Sequence, residues 1–201
     1  LVGSEMCIRD SDMEEDSIFY YLIEEYLEGE SLYALVNRQG SLTGTKLISF
    51  GMELCQIMDY LHSFKPNPIL YLDLQPHNIL ICRGTLKLID FDQAVSVSHT
   101  GKTEKRYGTQ GFAAPEQYTD DPMDVRTDIY AIGALLHYMF TGKSPDMQAI
   151  VTPGREPADL KSAGTVNSGW EDKLRAIIGR CLRRHKEERY ENVREVLEEL
   201  I

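Results

Sequence analysis

Apolar and polar positions change period along the chain, and the changes divide it into elements. Between residues 41 and 63, Leu47, Phe50, Leu54, Ile57, Met58 and Leu61 recur at the i, i+3, i+4, i+7 spacing of an amphipathic helix. Ser41 and Thr43 can cap its start, and Pro66 and Pro68 enforce a break after Ser63. From Asp124 to Thr141 the pattern is apolar nearly all round (Ile129, Ala131, Ile132, Ala134, Leu135, Leu136, Met139, Phe140), which predicts a buried core helix. Residues 170–183 and 192–201 read as amphipathic helices joined by a basic, solvated loop from Arg180 to Arg189.

Strand signals are shorter and come earlier. Residues 17–27 are rich in aromatic and β-branched side chains and predict a strand, ended by Glu28-Gly29-Glu30. Ser31 is placed to N-cap a short helix to about Asn37, which Gly40 stops. Residues 79–82 and 86–89 read as two strands flanking an Arg83-Gly84-Thr85 turn. The polar stretch 95–109 reads as a mobile loop, and 143–167 as mostly loop. The first dozen residues have no useful periodicity. Residues 1–16 are therefore set aside as a non-native or disordered leader, and 17–201 are taken as one domain. The sum is α+β: a mostly helical body with a small β remnant.

Composition narrows the function. A formal net charge of −11 argues against general nucleic-acid or anionic-membrane binding, because both need a basic surface. Cys7, Cys55, Cys82 and Cys181 are far apart and form no C-x-x-C pair, so zinc and a disulfide framework are not expected. Reduced thiols point to a cytoplasmic setting. The longest apolar run, Ile129 to Phe140, is interrupted by His137 and falls short of the roughly 20 residues that span a bilayer. His62, His77 and His99 suggest no triad or metal site and are expected in surface or capping roles, with His137 in the core.

The chemistry concentrates in ILYLDLQPHNILICRGTLKLIDF, residues 69–91. Asn78 follows Asp73 by five residues, and Asp90 follows Asn78 by twelve. All three lie among apolar neighbours, where polar side chains are costly unless partnered. Oxygen donors so placed suggest a shared magnesium or phosphate site.

With Asp90-Phe91 and Ala114-Pro115-Glu116 in GTQGFAAPEQY downstream, the chain resembles the eukaryotic-type protein kinases in their bacterial serine/threonine form, from about Ser17 to its end. Pro76 in DLQPHN also resembles the serine/threonine style of that loop. The resemblance implies a protein-kinase-like fold reduced to its larger helical lobe and a hinge strand. It implies ATP and Mg2+ as cofactors and a protein Ser/Thr hydroxyl as acceptor. Asp73 would orient the hydroxyl and accept its proton, Gln75 would contact the transferring phosphate, and Thr109 would brace Asp73. Asn78 and Asp90 would hold magnesium. Glu25 to Leu27 would be the hinge that bonds adenine through its backbone, with Ser31 near the ribose and Leu80 under the ring. Glu116 would pair with Arg189, and Asp128 would accept backbone N–H groups of the catalytic loop.

The departures are specific. Tyr71 and Leu72 stand where the family has His and Arg, Gln75 where it has Lys, Asp92 where it has Gly, and Glu24 is a charge at the back of the adenine pocket. No G-x-G-x-x-G or V-A-I-K-like Lys precedes the hinge strand, so the chain is expected to be a fragment of an active parent. A pseudokinase-like binding and regulatory module is the alternative. A small-molecule phosphotransferase is disfavoured by the GTQGFAAPE segment. Leu72 cannot receive an activation-loop phosphate. Activity is therefore expected to survive a Thr100→Ala/Thr103→Ala double substitution in the full-length protein, and a large loss of rate would contradict this.

Overall fold

The computed structural model describes residues 12–15, 20–23, 25–97, 108–145 and 169–201. Two short strands, β1 (Asp12–Glu15) and β2 (Tyr20–Ile23), form an antiparallel hairpin. Residues 12–15, set aside in the sequence as part of a leader, are thus paired with the expected hinge strand. Glu24 lies outside the described residues, as do residues 98–107, which include His99, Thr100 and Thr103, and most of the 143–167 loop.

Chain 25–29 leads into β3 (Glu30–Ser31) and then α1 (Leu32–Gln39). Ser31 caps α1 as expected: its Oγ accepts from Ala34 N at 3.1 Å. Gly40, at φ +77°, ends the helix and returns its N–H to the Val36 carbonyl. α2 (Gly44–His62) begins after Thr43, whose side chain makes no capping bond, and ends at Ser63.

β4 (Ile69–Leu70), β5 (Ile79–Cys82) and β6 (Thr85–Leu88) follow. β5 pairs with both β3 and β6, so Ser31 and Leu80 are direct partners. The turn between β5 and β6 holds two residues, Arg83 (φ 52°) and Gly84 (φ 88°), not three, because Thr85 pairs with Cys82. Two left-handed residues match the twist of an antiparallel hairpin.

β7 (Val95–Ser96) pairs with β4, where the sequence reads as loop. Its driving force is local. Val95 and Val97 pack on Leu70, Leu72 and Met123, a small apolar cluster apart from the main core.

The main core surrounds α3 (Val125–Thr141), in which every residue from Thr127 to Phe140 is buried. Asp124 caps it, accepting from Arg126 N at 2.9 Å and pairing with Lys186 Nζ at 3.1 Å. Burial raises the Asp124 pKa, but Arg126 and Lys186 outweigh it and hold the carboxyl at about 2. α4 (Gly169–Cys181) packs on α3, and α5 (Val193–Leu200) packs on α2. Gly133 sets the α3–α4 approach: a Cβ there would come within 2.4 Å of the Cys181 Cβ.

Candidate active site

The site is built on the chain between β4 and β5, held from below by α3. Asp128, fully buried in the first turn of α3, accepts Tyr71 N–H at 3.0 Å and Leu72 N–H at 2.9 Å. This is the role the sequence assigned to it. Its third partner was not anticipated. His62, at the end of α2, places Nε2 2.9 Å from Asp128 Oδ2, with its side chain 7% exposed. The surface or capping role expected for His62 is therefore corrected: it is a buried partner of the carboxylate that positions the loop.

Tyr71 lies edge-on to Phe91 with ring centroids 5.2 Å apart, and its hydroxyl donates to the Ile89 carbonyl. Burial, then the nearby Asp73 and Asp90 charges, push its pKa far up. It is a neutral donor joining the loop to the segment that carries Asp90.

Asp73 is half-buried, and both oxygens of its carboxylate accept hydrogen bonds. The Thr109 hydroxyl donates to Oδ1 at 2.8 Å, while Gln75 Nε2 and Asn78 Nδ2 each donate to Oδ2 at 3.0 Å. Asn78 Nδ2 also reaches the Asp73 carbonyl at 3.0 Å. Its nitrogen is thus committed to Asp73, and its Oδ1 is the side-chain atom left to ligate a cation. The Asn78 carbonyl accepts from Ile89 N at 3.0 Å, one residue before Asp90. Asp90 sits at φ 62° with an exposed side chain, and its Oδ1 accepts from Asp92 N at 3.3 Å. Among the described residues no group of three or more His, Cys, Asp or Glu side chains forms a metal cage. One carboxylate and one amide oxygen suit magnesium, which relies on waters and substrate phosphates for its other ligands.

Of the other predicted residues, Ser31 and Leu80 face each other across β3 and β5, both half-buried. Glu25 is exposed and Leu27 half-buried in the irregular chain before β3. The predicted Glu116–Arg189 pair is present, with Nη1–Oε1 at 2.6 Å and Nη2–Oε2 at 2.9 Å. Gln117, unremarked in the sequence, is 2% exposed and donates to the Leu72 carbonyl at 2.8 Å. Neither His62 nor Gln117 has a periodic signal, and each meets its partner across a long stretch of chain.

Comparison with known proteins gives the family of the chain. A family model described as "Protein kinase domain" matches residues 2–200. A probable serine/threonine-protein kinase of Clostridium acetobutylicum is 30% identical over 195 residues, covering 94% of this chain and 29% of that protein. Serine/threonine-protein kinase B of Synechocystis sp. is 34% identical over 202 positions, covering 94% and 33%. Serine/threonine-protein kinase PknB of Mycobacterium tuberculosis is 28% identical over 189, covering 90% and 30%. The chain thus spans about a third of the length of these curated relatives. An α+β fold with the predicted motifs in contact, and a family model matching nearly the whole chain, make it a member of the protein kinase domain family.

Proposed function

We propose that this chain forms the hinge and larger lobe of a serine/threonine protein kinase, within a longer protein that supplies the Gly-rich loop and strand Lys. The reaction is transfer of the ATP γ-phosphoryl group to a protein Ser or Thr hydroxyl. The single observation that carries the reading is the Thr109–Asp73–Asn78 constellation, with Asp128 holding the loop from beneath. Named relatives that are serine/threonine-protein kinases support it.

Asp73 orients the acceptor hydroxyl and takes its proton as the new P–O bond forms. Thr109 and the two amides fix the direction of the carboxylate, so that little reorganisation remains at the moment of transfer. Asn78 Oδ1 and the Asp90 carboxylate would hold Mg2+. When bound, the ion would supply positive charge against the charge that develops in phosphoryl transfer. Gln75 differs from its expected role. Its amide is bonded to Asp73, so it acts first as a brace and brings no positive charge to the phosphate. Glu25, Leu27, Ser31 and Leu80 form the adenosine side.

Among the described residues no helix is long and apolar enough to cross a membrane. Cys55, Cys82 and Cys181 are free thiols, which supports a cytoplasmic setting. The acidic net charge favours a protein substrate over nucleic acid.

Asp90→Ala is expected to weaken magnesium-dependent ATP binding by at least about 10–100-fold, the loss that even outer metal partners produce. Calorimetric titration with and without Mg2+ reads this directly. An Asp90→Ala variant whose ATP affinity responds to Mg2+ as strongly as that of wild type would remove Asp90 from the metal site. The second reading, a pseudokinase-like regulatory module, draws on Leu72 and Gln75 standing where cations are expected. Magnesium-dependent ATP binding by the full-length protein with no phosphate transferred would favour it.

A further inference from the structure

The peptide before Asp73 is strained and gripped on every side. Leu72 sits at φ 66°, a left-handed conformation that a branched side chain adopts only when its surroundings impose it. Its N–H goes to Asp128 Oδ1 at 2.9 Å. Its side chain, 2% exposed, is packed with Leu70 and Met123. Its carbonyl accepts from Gln117 Nε2 at 2.8 Å.

Gln117 belongs to the other half of the site. The same side chain accepts Ala114 N–H on Oε1 at 2.9 Å, within the segment that runs from Thr109 to Tyr118. One amide therefore bridges that segment to the residue that aims Asp73. The contact is closely roofed: a Cβ on Gly108 would fall 2.8 Å from Gln117 Nε2 and 3.0 Å from Leu72 O. Tyr118 ties the roof down by donating to the Gly108 carbonyl at 3.2 Å.

We infer that Gln117 is a positioning residue that couples the order of the 108–118 segment to the orientation of Asp73, through the Leu72 carbonyl. The coupling is neutral and internal. It operates at a loop whose residue 72 is an apolar Leu and offers no cation to a phosphorylated segment. This inference rests on the kinase reading above and deepens it: the site is organised by the seating of its own segment. When Ala114 and Gly108 leave their places, Gln117 leaves with them, the Leu72 carbonyl loses its donor, and the strained peptide relaxes.

The test compares Gln117→Ala and Gln117→Glu with wild type in the full-length protein. Gln117→Ala is expected to lower kcat for phosphate transfer by about tenfold or more, since a buried acceptor loses its donor. KM for ATP should stay unchanged. Gln117→Glu adds a pH signature that simple destabilisation cannot mimic. A protonated glutamic acid can still donate to Leu72 O and accept from Ala114 N, but an ionised one has no proton to donate. Burial raises the pKa of the new carboxyl above the ordinary range. The kcat of Gln117→Glu should therefore approach wild type at the acid end and fall as pH rises through that pKa. A Gln117→Glu profile parallel to wild type would overturn the inference, as would Gln117→Ala with full kcat and only a lowered melting temperature. Hydrogen exchange gives a readout independent of turnover. The Tyr71 and Leu72 amides should exchange at least about tenfold faster in Gln117→Ala, while those of α3 hold their protection. Unchanged protection at Tyr71 and Leu72 would overturn the coupling even in a protein that transfers no phosphate. Wild-type inactivity together with faster exchange would sink the kinase reading and leave the coupling standing.

Discussion

Asp73→Asn is expected to lower kcat by about 10²–10⁴-fold, the range that general acid–base groups supply, in a protein that still folds and binds ATP. Retention of the fold follows from the hydrogen bonds. The carboxylate receives Thr109 on Oδ1 and the Gln75 and Asn78 amides on Oδ2. An asparagine placed with its nitrogen toward the two amides would set donor against donor. Turned the other way, its oxygen accepts both amides, and its nitrogen donates to the Thr109 oxygen, because a hydroxyl can rotate to accept. Each of the three partners keeps a hydrogen bond to residue 73, and the hydroxyl hydrogen of the half-buried Thr109 turns elsewhere, so the melting temperature should move little. What is lost is the lone pair to which the proposed mechanism assigns the substrate proton. Single-turnover transfer from magnesium–ATP, beside ATP titration of the same variant, separates the two effects. A kcat within a fewfold of wild type would take Asp73 out of the proton-transfer role.

That constellation was largely legible in the sequence, for a physical reason. Asp73, Asn78 and Asp90 are polar residues set in apolar runs, and Thr109 and Asp128, implied by the family resemblance, meet Asp73 and the two peptides before it. Helices were equally legible where the apolar stripe was long, as in α2, or continuous, as in α3. Shorter features were not. β7 is two residues long, and only Val95 and Val97 carry its pattern. The hairpin turn of β5 and β6 is set by two left-handed residues, so its length follows from strand pairing and not from the extent of polar sequence. His62 and Gln117 escaped because each serves a partner far along the chain: His62 meets Asp128 66 residues later, and Gln117 reaches back 45 residues to Leu72. Gln75 was recognised, but its direction was not. Nothing in its spacing shows that the amide turns to Asp73.

The largest stability effect is expected at the Glu116–Arg189 pair. Both side chains are nearly inaccessible, at 5% and 0% exposure. The guanidinium has five N–H donors, and five bonds leave it. Two go to the Glu116 carboxylate, at 2.6 and 2.9 Å. Three go to the carbonyls of Arg183, Arg126 and Arg184, at 2.8, 2.9 and 3.0 Å. The group also lies over the Tyr130 ring, 5.0 Å from its centroid. The segment after Thr109, the start of α3 and the loop before α5 thus meet at one cation. Removing either partner strands a buried charge, which costs about 3–5 kcal/mol, against a total stability on the order of 5–15 kcal/mol. Each single alanine variant should therefore melt about 6–20 °C lower, at about 2–4 °C per kcal/mol for a chain of this size. Arg189→Ala should be the worse of the two, because it also orphans three backbone carbonyls. Arg189→Lys should not rescue it, since an ammonium presents three donors from one point and cannot span the same five acceptors. Glu116→Leu combined with Arg189→Met should recover part of the loss by removing both charges together. It should stay below wild type, because those three carbonyls still lack their donors. Calorimetric melting of the four variants decides the matter: single-alanine shifts of less than about 2 °C would mean that water reaches the pair and that the clasp is not closed in solution.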